Sequence, residues 1–177
     1  FGTPLGMAEH ELDAARQMRQ LGVNVPEPLE AFEHKGYGVV VFEYLDGYET
    51  LERLDPEQIE AVAPDLFSSL ARMHEAEFVH GDLRGENVLI VGDSLFFIDA
   101  TNVREDAIED ARAYDIACAL AELEPHIGAA TAVRIAAQYY DNDTLIDAER
   151  YLDFVSIRPD HDFGALALKG EIVKQTD

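Results

Sequence analysis

The chain is short of cysteine, of lysine and of long apolar runs. Its single cysteine, Cys118, excludes an internal disulfide framework and fits a reducing compartment. Cys118 lies in Tyr114-Asp115-Ile116-Ala117-Cys118-Ala119-Leu120, an apolar helical stretch, and reads as a small buried hydrophobe. No uninterrupted apolar run approaches the roughly 18 residues that a membrane crossing needs, so no membrane span is expected. The run Gly38 to Phe42 has the length of a strand. Phe1-Gly2-Thr3-Pro4 has neither the basic start nor the apolar centre of a signal peptide. The chain carries no initiator Met, so a leader could have been lost, and the expected location is cytoplasmic. There is no internal repeat, low-complexity tract or long Gly/Ser linker.

Positive charge is scarce as well. Acidic residues number 36 and basic residues 13, a net charge of -23 that repels nucleic acid and anionic membranes and excludes both as partners of this segment. Only Lys35, Lys169 and Lys174 are lysines, and the acids recur along nearly the whole chain. This pattern resembles proteins of salt-loving archaea, in which molar salt screens the self-repulsion. An acidic protein of an ordinary environment is the other reading. At 177 residues the chain can bury roughly two-thirds of its unfolded surface in one fold without disulfides or metals.

Periodicity predicts an amphipathic helix over Met7 to Leu21, with Leu12, Ala15, Met18 and Leu21 on one face and Gly22 as its stop. Val23 to Pro28 is then extended. Leu29 to Glu33 and Tyr37 to Tyr44 read as strands joined through His34-Lys35-Gly36, with Gly36 and Gly38 as turn glycines rather than a phosphate loop. Asp55-Pro56 opens a helix running to about Glu77. Two short strands, Asn87 to Val91 and Ser94 to Ile98, flank Gly92-Asp93. Helical patterns follow at about 105–123, 127–140 and 143–155, with a weaker one from 163. The order gives an α+β arrangement whose later half is mainly helical.

The chemistry is concentrated in Phe78-Val79-His80-Gly81-Asp82-Leu83-Arg84-Gly85-Glu86-Asn87, followed by Leu95-Phe96-Phe97-Ile98-Asp99. This is His-x-Asp-Leu-x-x-x-Asn, then a β-prone run, a turn, and a second run ending in Asp. The segment resembles the catalytic and metal-binding segments of the protein-kinase-like superfamily. Phosphoryl transfer accounts for the residue types. One carboxylate must take or orient an acceptor hydroxyl, and two further oxygen ligands must hold metal ions on the ATP phosphates.

The resemblance implies Asp82 as catalytic base, Asn87 as a metal and nucleotide ligand, and Asp99 as the metal-binding aspartate. His80 would support the catalytic loop. Arg84 would either reach the transferred phosphate or serve as a surface loop cation. The triplet that usually reads Asp-Phe-Gly is here Asp99-Ala100-Thr101, a departure that resembles RIO-type and related atypical kinases. Gly81 stands where regulated kinases have arginine, which removes the usual anchor for a phosphorylated loop. Asp162-Phe163-Gly164 spells the familiar triplet far beyond Asn87, and it reads as a helix start. Phe42-Glu43-Tyr44-Leu45-Asp46-Gly47 resembles a kinase hinge, with Phe42 as gatekeeper and the backbone around Glu43 and Leu45 meeting adenine. Glu11 would be the regulatory-helix partner of a phosphate-clamping lysine, or part of a solvated face. Asp115 resembles the helix aspartate that accepts hydrogen bonds from the catalytic loop, or is an exposed helix acid. The remaining histidines, His10, His34, His74, His126 and His161, do not cluster at metal-ligand spacing.

The expected fold is therefore protein-kinase-like: a remnant of the small lobe over 1–47 and a mainly helical large lobe over 48–177. The glycine-rich loop and the strand lysine of such domains should precede the first helix, and neither is in this sequence. The segment alone is thus expected to be a weak or inactive catalyst. ATP with Mg²⁺ or Mn²⁺ is the implied cofactor, and a protein substrate or a small-molecule hydroxyl compound the implied acceptor. A RIO-like serine/threonine protein kinase is the first reading. An aminoglycoside- or choline-type phosphotransferase and a nucleotide-binding pseudokinase are the alternatives.

Overall fold

The computed structural model describes residues 2–100, 108–158 and 162–177. Thr101 of the aspartate triplet, the expected helix start near 105 and His161 lie outside the described residues.

Helix α1 (Pro4–Gln20) begins earlier than its apolar period implies. Thr3 caps it, its Oγ1 accepting from the Gly6 amide at 3.0 Å, and Pro4 occupies the first helical position. Ala8, Leu12, Ala15 and Met18 form the buried stripe, whereas Leu21 stays 38% exposed. The helix ends where Gly22 turns left-handed, at φ +81°.

Strands β1 (Pro28–His34) and β2 (Tyr37–Phe42) pair antiparallel as a hairpin against α1. Its two turn residues, Lys35 and Gly36, have φ of 50° and 80°. This is the left-handed pair that matches the twist of a tight hairpin. Gly38 is not a turn residue: it sits within β2 opposite Glu33, and a Cβ there would overlap the Pro4 carbonyl oxygen of α1. Close approach of helix to strand, rather than turn geometry, is what requires glycine.

A second sheet, in the order β3 (Glu49–Thr50), β4 (Val88–Val91), β5 (Ser94–Phe97), is antiparallel throughout. Between β3 and β4 comes α2 (Pro56–Glu75), opened by a reciprocal capping box. Asp55 Oδ1 accepts from the Gln58 amide at 2.8 Å, and Gln58 Oε1 from the Asp55 amide at 3.1 Å. Ile59, Ala63, Leu66, Phe67, Leu70 and Met73 recur at helical spacing and are all buried.

The later half is helical: α3 (Ile108–Ile127), α4 (Ala129–Ala136), α5 (Asn142–Glu149), α6 (Leu152–Ser156) and α7 (Ala165–Thr176). The single helix expected over 143–155 is two, α5 and α6. Helix α3 is enclosed, touching α2, α4, α5, α6 and α7. Its run from Ala113 to Leu123 is accordingly buried on nearly every side, and its small residues Ala117, Cys118, Ala119 and Ala121 let neighbours approach. Burying each large apolar side chain stabilises such a core by about 1.5–3 kcal/mol. Among the described residues, no helix is long and apolar enough to cross a membrane.

One short segment ties α1 and its hairpin to the rest. Val23 and Val25 are buried in the core cluster that also holds α2 and α3 residues. The Asn24 carbonyl accepts from the Phe97 amide of β5 at 2.9 Å, and the Gly22 carbonyl from Arg72 Nη1 at 3.2 Å.

Candidate active site

The loop between α2 and β4 carries His80, Asp82, Arg84 and Asn87, and its shape is set from beneath by α3. Asp115 of α3 is wholly buried. Its Oδ2 accepts from the His80 amide at 2.7 Å and lies 2.9 Å from His74 Nε2, while its Oδ1 accepts from the Gly81 amide at 2.9 Å. A buried carboxylate is costly unless it is hydrogen-bonded, and here both oxygens are. Gly81 adopts φ +85°, a left-handed conformation that glycine takes without strain, which accounts for glycine between His80 and Asp82.

The His80 side chain is also buried and fully engaged. Its Nε2 donates to the Ile98 carbonyl at 2.8 Å, and its Nδ1 accepts from the Asp82 amide at 3.2 Å. Burial, opposed by the nearby carboxylates of Asp115, Asp82 and Asp99, holds the imidazole below its ordinary pKa and favours the neutral ring that this pattern needs. His80 is thus a structural bracket between the loop and the end of β5, with no face open to a substrate.

Asp82 itself points outward, its side chain 53% exposed. Arg84 Nε donates to Asp82 Oδ1 at 2.9 Å, so the arginine rests on the candidate base rather than standing apart in the loop. Asn87 is buried, and its Nδ2 donates to the Asp82 carbonyl at 2.9 Å. That leaves the amide oxygen of Asn87 as the part of the side chain able to act as a hard oxygen ligand. The loop backbone then closes on β5: the Ile98 amide donates to the Asn87 carbonyl at 3.0 Å. Asp99 follows directly, exposed and with φ 57°. A left-handed non-glycine residue costs on the order of 1 kcal/mol, and such conformations gather at functional sites. The site therefore brings His80, Asp82, Arg84, Asn87 and Asp99 together around the β4–β5 hairpin.

The other candidates sit elsewhere. Phe42 ends β2 and packs partly buried against the core. The Glu43 amide donates to the Glu27 carbonyl at 2.9 Å, and Glu43 Oε1 accepts from the Glu27 amide at 2.9 Å, extending the hairpin ladder. Beyond that ladder, Leu45 is half-buried in an irregular stretch that leads to β3. Glu11 lies on the exposed side of α1, and its carboxylate makes no hydrogen bond or ion pair among the described residues. Asp162-Phe163-Gly164 leads into α7, where the Gly164 amide donates to Glu124 Oε2 at 2.7 Å. It is a helix start, as its position in the sequence implied. Among the described residues no three His, Cys, Asp or Glu side chains form a metal cluster. A cation held by Asn87 and Asp99 would therefore complete its shell with phosphate and water oxygens, the habit of Mg²⁺.

Two contributors escaped the sequence reading. His74, set aside as an isolated histidine, is the third partner of Asp115, and the Tyr140 hydroxyl lies 2.8 Å from His74 Nδ1. His74 falls on the apolar stripe of α2 with Phe67 and Leu70. A polar side chain on a buried face must have a partner, which was the signal available. Glu122 of α3 is the other: it is buried beneath the loop, where a Cβ on Gly85 would overlap its carboxylate.

A catalytic-type loop clamped by a buried helix aspartate, beside a β-hairpin ending in an exposed aspartate, on a mainly helical body, defines a protein-kinase-like domain. The family is more specific than that. The RIO domain model matches residues 5–119, and the chain belongs to that family. It is 32% identical over 104 residues to the KEOPS complex subunit Bud32 of Pyrococcus abyssi (strain GE5 / Orsay), covering 57% of this chain and 46% of that one. It is 32% identical over 85 residues to the serine/threonine-protein kinase TIO of Arabidopsis thaliana, covering 45% of this chain and 6% of that one. The chain thus spans less than half the length of either relative. Among solved structures, the Drosophila melanogaster PAN3 pseudokinase aligns with a TM-score of 0.46 at 14% identity, over 89% of this chain and 52% of that one.

Proposed function

We propose that this chain is the catalytic-loop-bearing part of an ATP-dependent phosphotransferase, a RIO-like serine/threonine kinase that moves the ATP γ-phosphate to a hydroxyl. The observation that carries this reading is the loop itself. Asp115 fixes the His80 and Gly81 amides, Asn87 fixes the Asp82 carbonyl, and the Asp82 carboxylate is thereby presented to solvent from a rigid backbone. Preorganisation of this kind is what a proton-accepting group needs.

In this reading Asp82 orients the acceptor hydroxyl and takes its proton as the oxygen attacks, a role typically worth roughly 10²- to 10⁴-fold in rate. Asn87, through its amide oxygen, and Asp99 would hold Mg²⁺ or Mn²⁺. Bound ATP with its metal supplies the electrophilic phosphoryl group. Arg84, now resting on Asp82 Oδ1, would neutralise charge near the transferred group when that contact opens. Phe42 and the backbone at Glu43 and Leu45 would line the adenine side, and Glu11 would face a clamping lysine supplied from outside residues 1–177. The name of one relative, a serine/threonine-protein kinase, supports a protein acceptor, and the net charge of -23 supports assay in molar KCl.

The test is transfer of labelled γ-phosphate by the complete protein in molar KCl with Mg²⁺ or Mn²⁺, offered cell protein and small hydroxyl compounds. Label in protein that disappears in Asp82→Asn is the expected result. Label only in small molecules would reassign the acceptor class. ATP binding without transfer would remove Asp82 from its role.

A further inference from the structure

We propose that Tyr140 is a positioning residue for phosphoryl transfer, acting through His74 and Asp115 on the backbone of the catalytic loop; this role in catalysis rests on the phosphotransferase reading above. Tyr140 belongs to the turn between α4 and α5, far in sequence from the loop. Its amide donates to the Ala136 carbonyl at 3.1 Å, fixing the turn that delivers the ring inward. The hydroxyl lies 2.8 Å from His74 Nδ1, and the ring stands 5.8 Å from the imidazole, tilted by 43°. On the far side of that imidazole, Nε2 is 2.9 Å from Asp115 Oδ2, the oxygen that also takes the His80 amide at 2.7 Å.

The chemistry of the groups gives this chain of contacts a direction. A carboxylate only accepts, so His74 must carry its proton on Nε2. In the neutral ring Nδ1 then accepts, and the Tyr140 hydroxyl is the donor that satisfies it. Without the hydroxyl, the buried Nδ1 would lose its donor and the imidazole its second anchor. Asp115 thus sets the tautomer, the phenol anchors the ring through the Nδ1 that this tautomer leaves as acceptor, the anchored ring holds Asp115, and Asp115 holds the two amides that immediately precede Asp82. Burial and the Asp115 charge push the phenol pKa upward, which keeps the proton on Tyr140 and available for donation.

Loss of one such buried hydrogen bond changes a local equilibrium by roughly tenfold. Tyr140→Phe keeps the ring and removes only the donor. In ¹⁵N-labelled protein, the Gly81 amide is expected to exchange with solvent roughly tenfold faster in Tyr140→Phe, while β1–β2 amides keep their rates. Adding Tyr140→Phe to His74→Phe should change nothing further, because the route runs through His74. In the complete protein the same substitution should lower kcat several-fold and leave KM for ATP unchanged, since the adenine side is not touched.

The proposal is overturned if Gly81 exchange is unaltered, or if all core amides accelerate together as they would for a general packing role. Should Tyr140→Phe fail to fold, the wild-type imidazole ¹⁵N spectrum decides instead. One pyridine-type Nδ1 and one protonated Nε2 agree with the relay, and two protonated nitrogens refute it. A wild-type protein that transfers no phosphate but shows the Gly81 effect would sink the phosphotransferase reading and leave the relay standing.

Discussion

Replacing Asp115 with asparagine isolates what holds the catalytic loop, because it keeps the shape of the side chain and changes only what its atoms can accept. The carboxylate is wholly buried and takes three donors: the His80 amide, the Gly81 amide and His74 Nε2. The best asparagine rotamer places its oxygen where Oδ2 stands and keeps two of them. Its NH₂ then faces the Gly81 N–H, donor against donor. One charge-assisted hydrogen bond is lost, about 1.5–3 kcal/mol, and stranded buried donors cost about 1–3 kcal/mol more. Together these come to about 2.5–6 kcal/mol, a large share of a total stability of about 5–15 kcal/mol. Urea unfolding followed by far-ultraviolet circular dichroism measures the loss. Amide exchange locates it at Gly81 rather than in the β1–β2 hairpin. Because the group is buried, the loss should persist from dilute to molar KCl. A change below about 1 kcal/mol, unaltered exchange at Gly81, or a deficit that molar salt abolishes would each refute the reasoning.

Three further outcomes follow from particular contacts. Gly38→Ala puts a methyl group into the Pro4 carbonyl, so α1 must shift from the hairpin at a cost of about 1–3 kcal/mol. Thermal unfolding should show it as a lower Tm, by about 2–4 °C per kcal/mol at this size. Burial lowers the His80 pKa in the folded chain, so its contribution to stability is whole above the unfolded value of about 6.5 and drains as pH falls toward the folded value. Between pH 7.5 and 5.5 the Tm of the wild type should therefore fall more steeply than that of His80→Gln, and equal slopes would count against the buried neutral ring. Burial pushes the Cys118 thiol up to about 12; alkylating reagents at pH 8 should leave it unmodified in the folded protein and react once urea unfolds the chain, as mass spectrometry would record.

Local signals made most of the secondary structure legible. Asp55-Pro56 marks the start of α2 in the sequence alone, and His34-Lys35-Gly36 between apolar runs marks the hairpin. The His80-to-Asn87 spacing and the aspartate after β5 made a candidate site legible, because those residues lie on one loop and one hairpin. Contacts between distant segments were not legible. Strand β3 is two residues long, too short for any period, and exists because Glu49 and Thr50 pair with Ile90 and Leu89. His74, Asp115 and Tyr140 come from three separate elements, and only packing brings them together. The break between α5 and α6 has no glycine or proline to announce it. Thr3-Pro4, by contrast, was a readable cap that the apolar period alone passed over.

The hydrogen bond between Asn24 and Phe97 has a mechanical meaning. Val23 and Val25 are embedded on either side of it, so the segment after α1 cannot slide while the core stays packed. Helix α1 is then a lever pivoted at Gly22, and its short arm ends on the strand residue two positions before Asp99. A tilt of α1 would therefore load the Asn24–Phe97 hydrogen bond, two residues before the left-handed backbone of Asp99. The first helix and the open end of the β4–β5 hairpin are, in that sense, two ends of one strut.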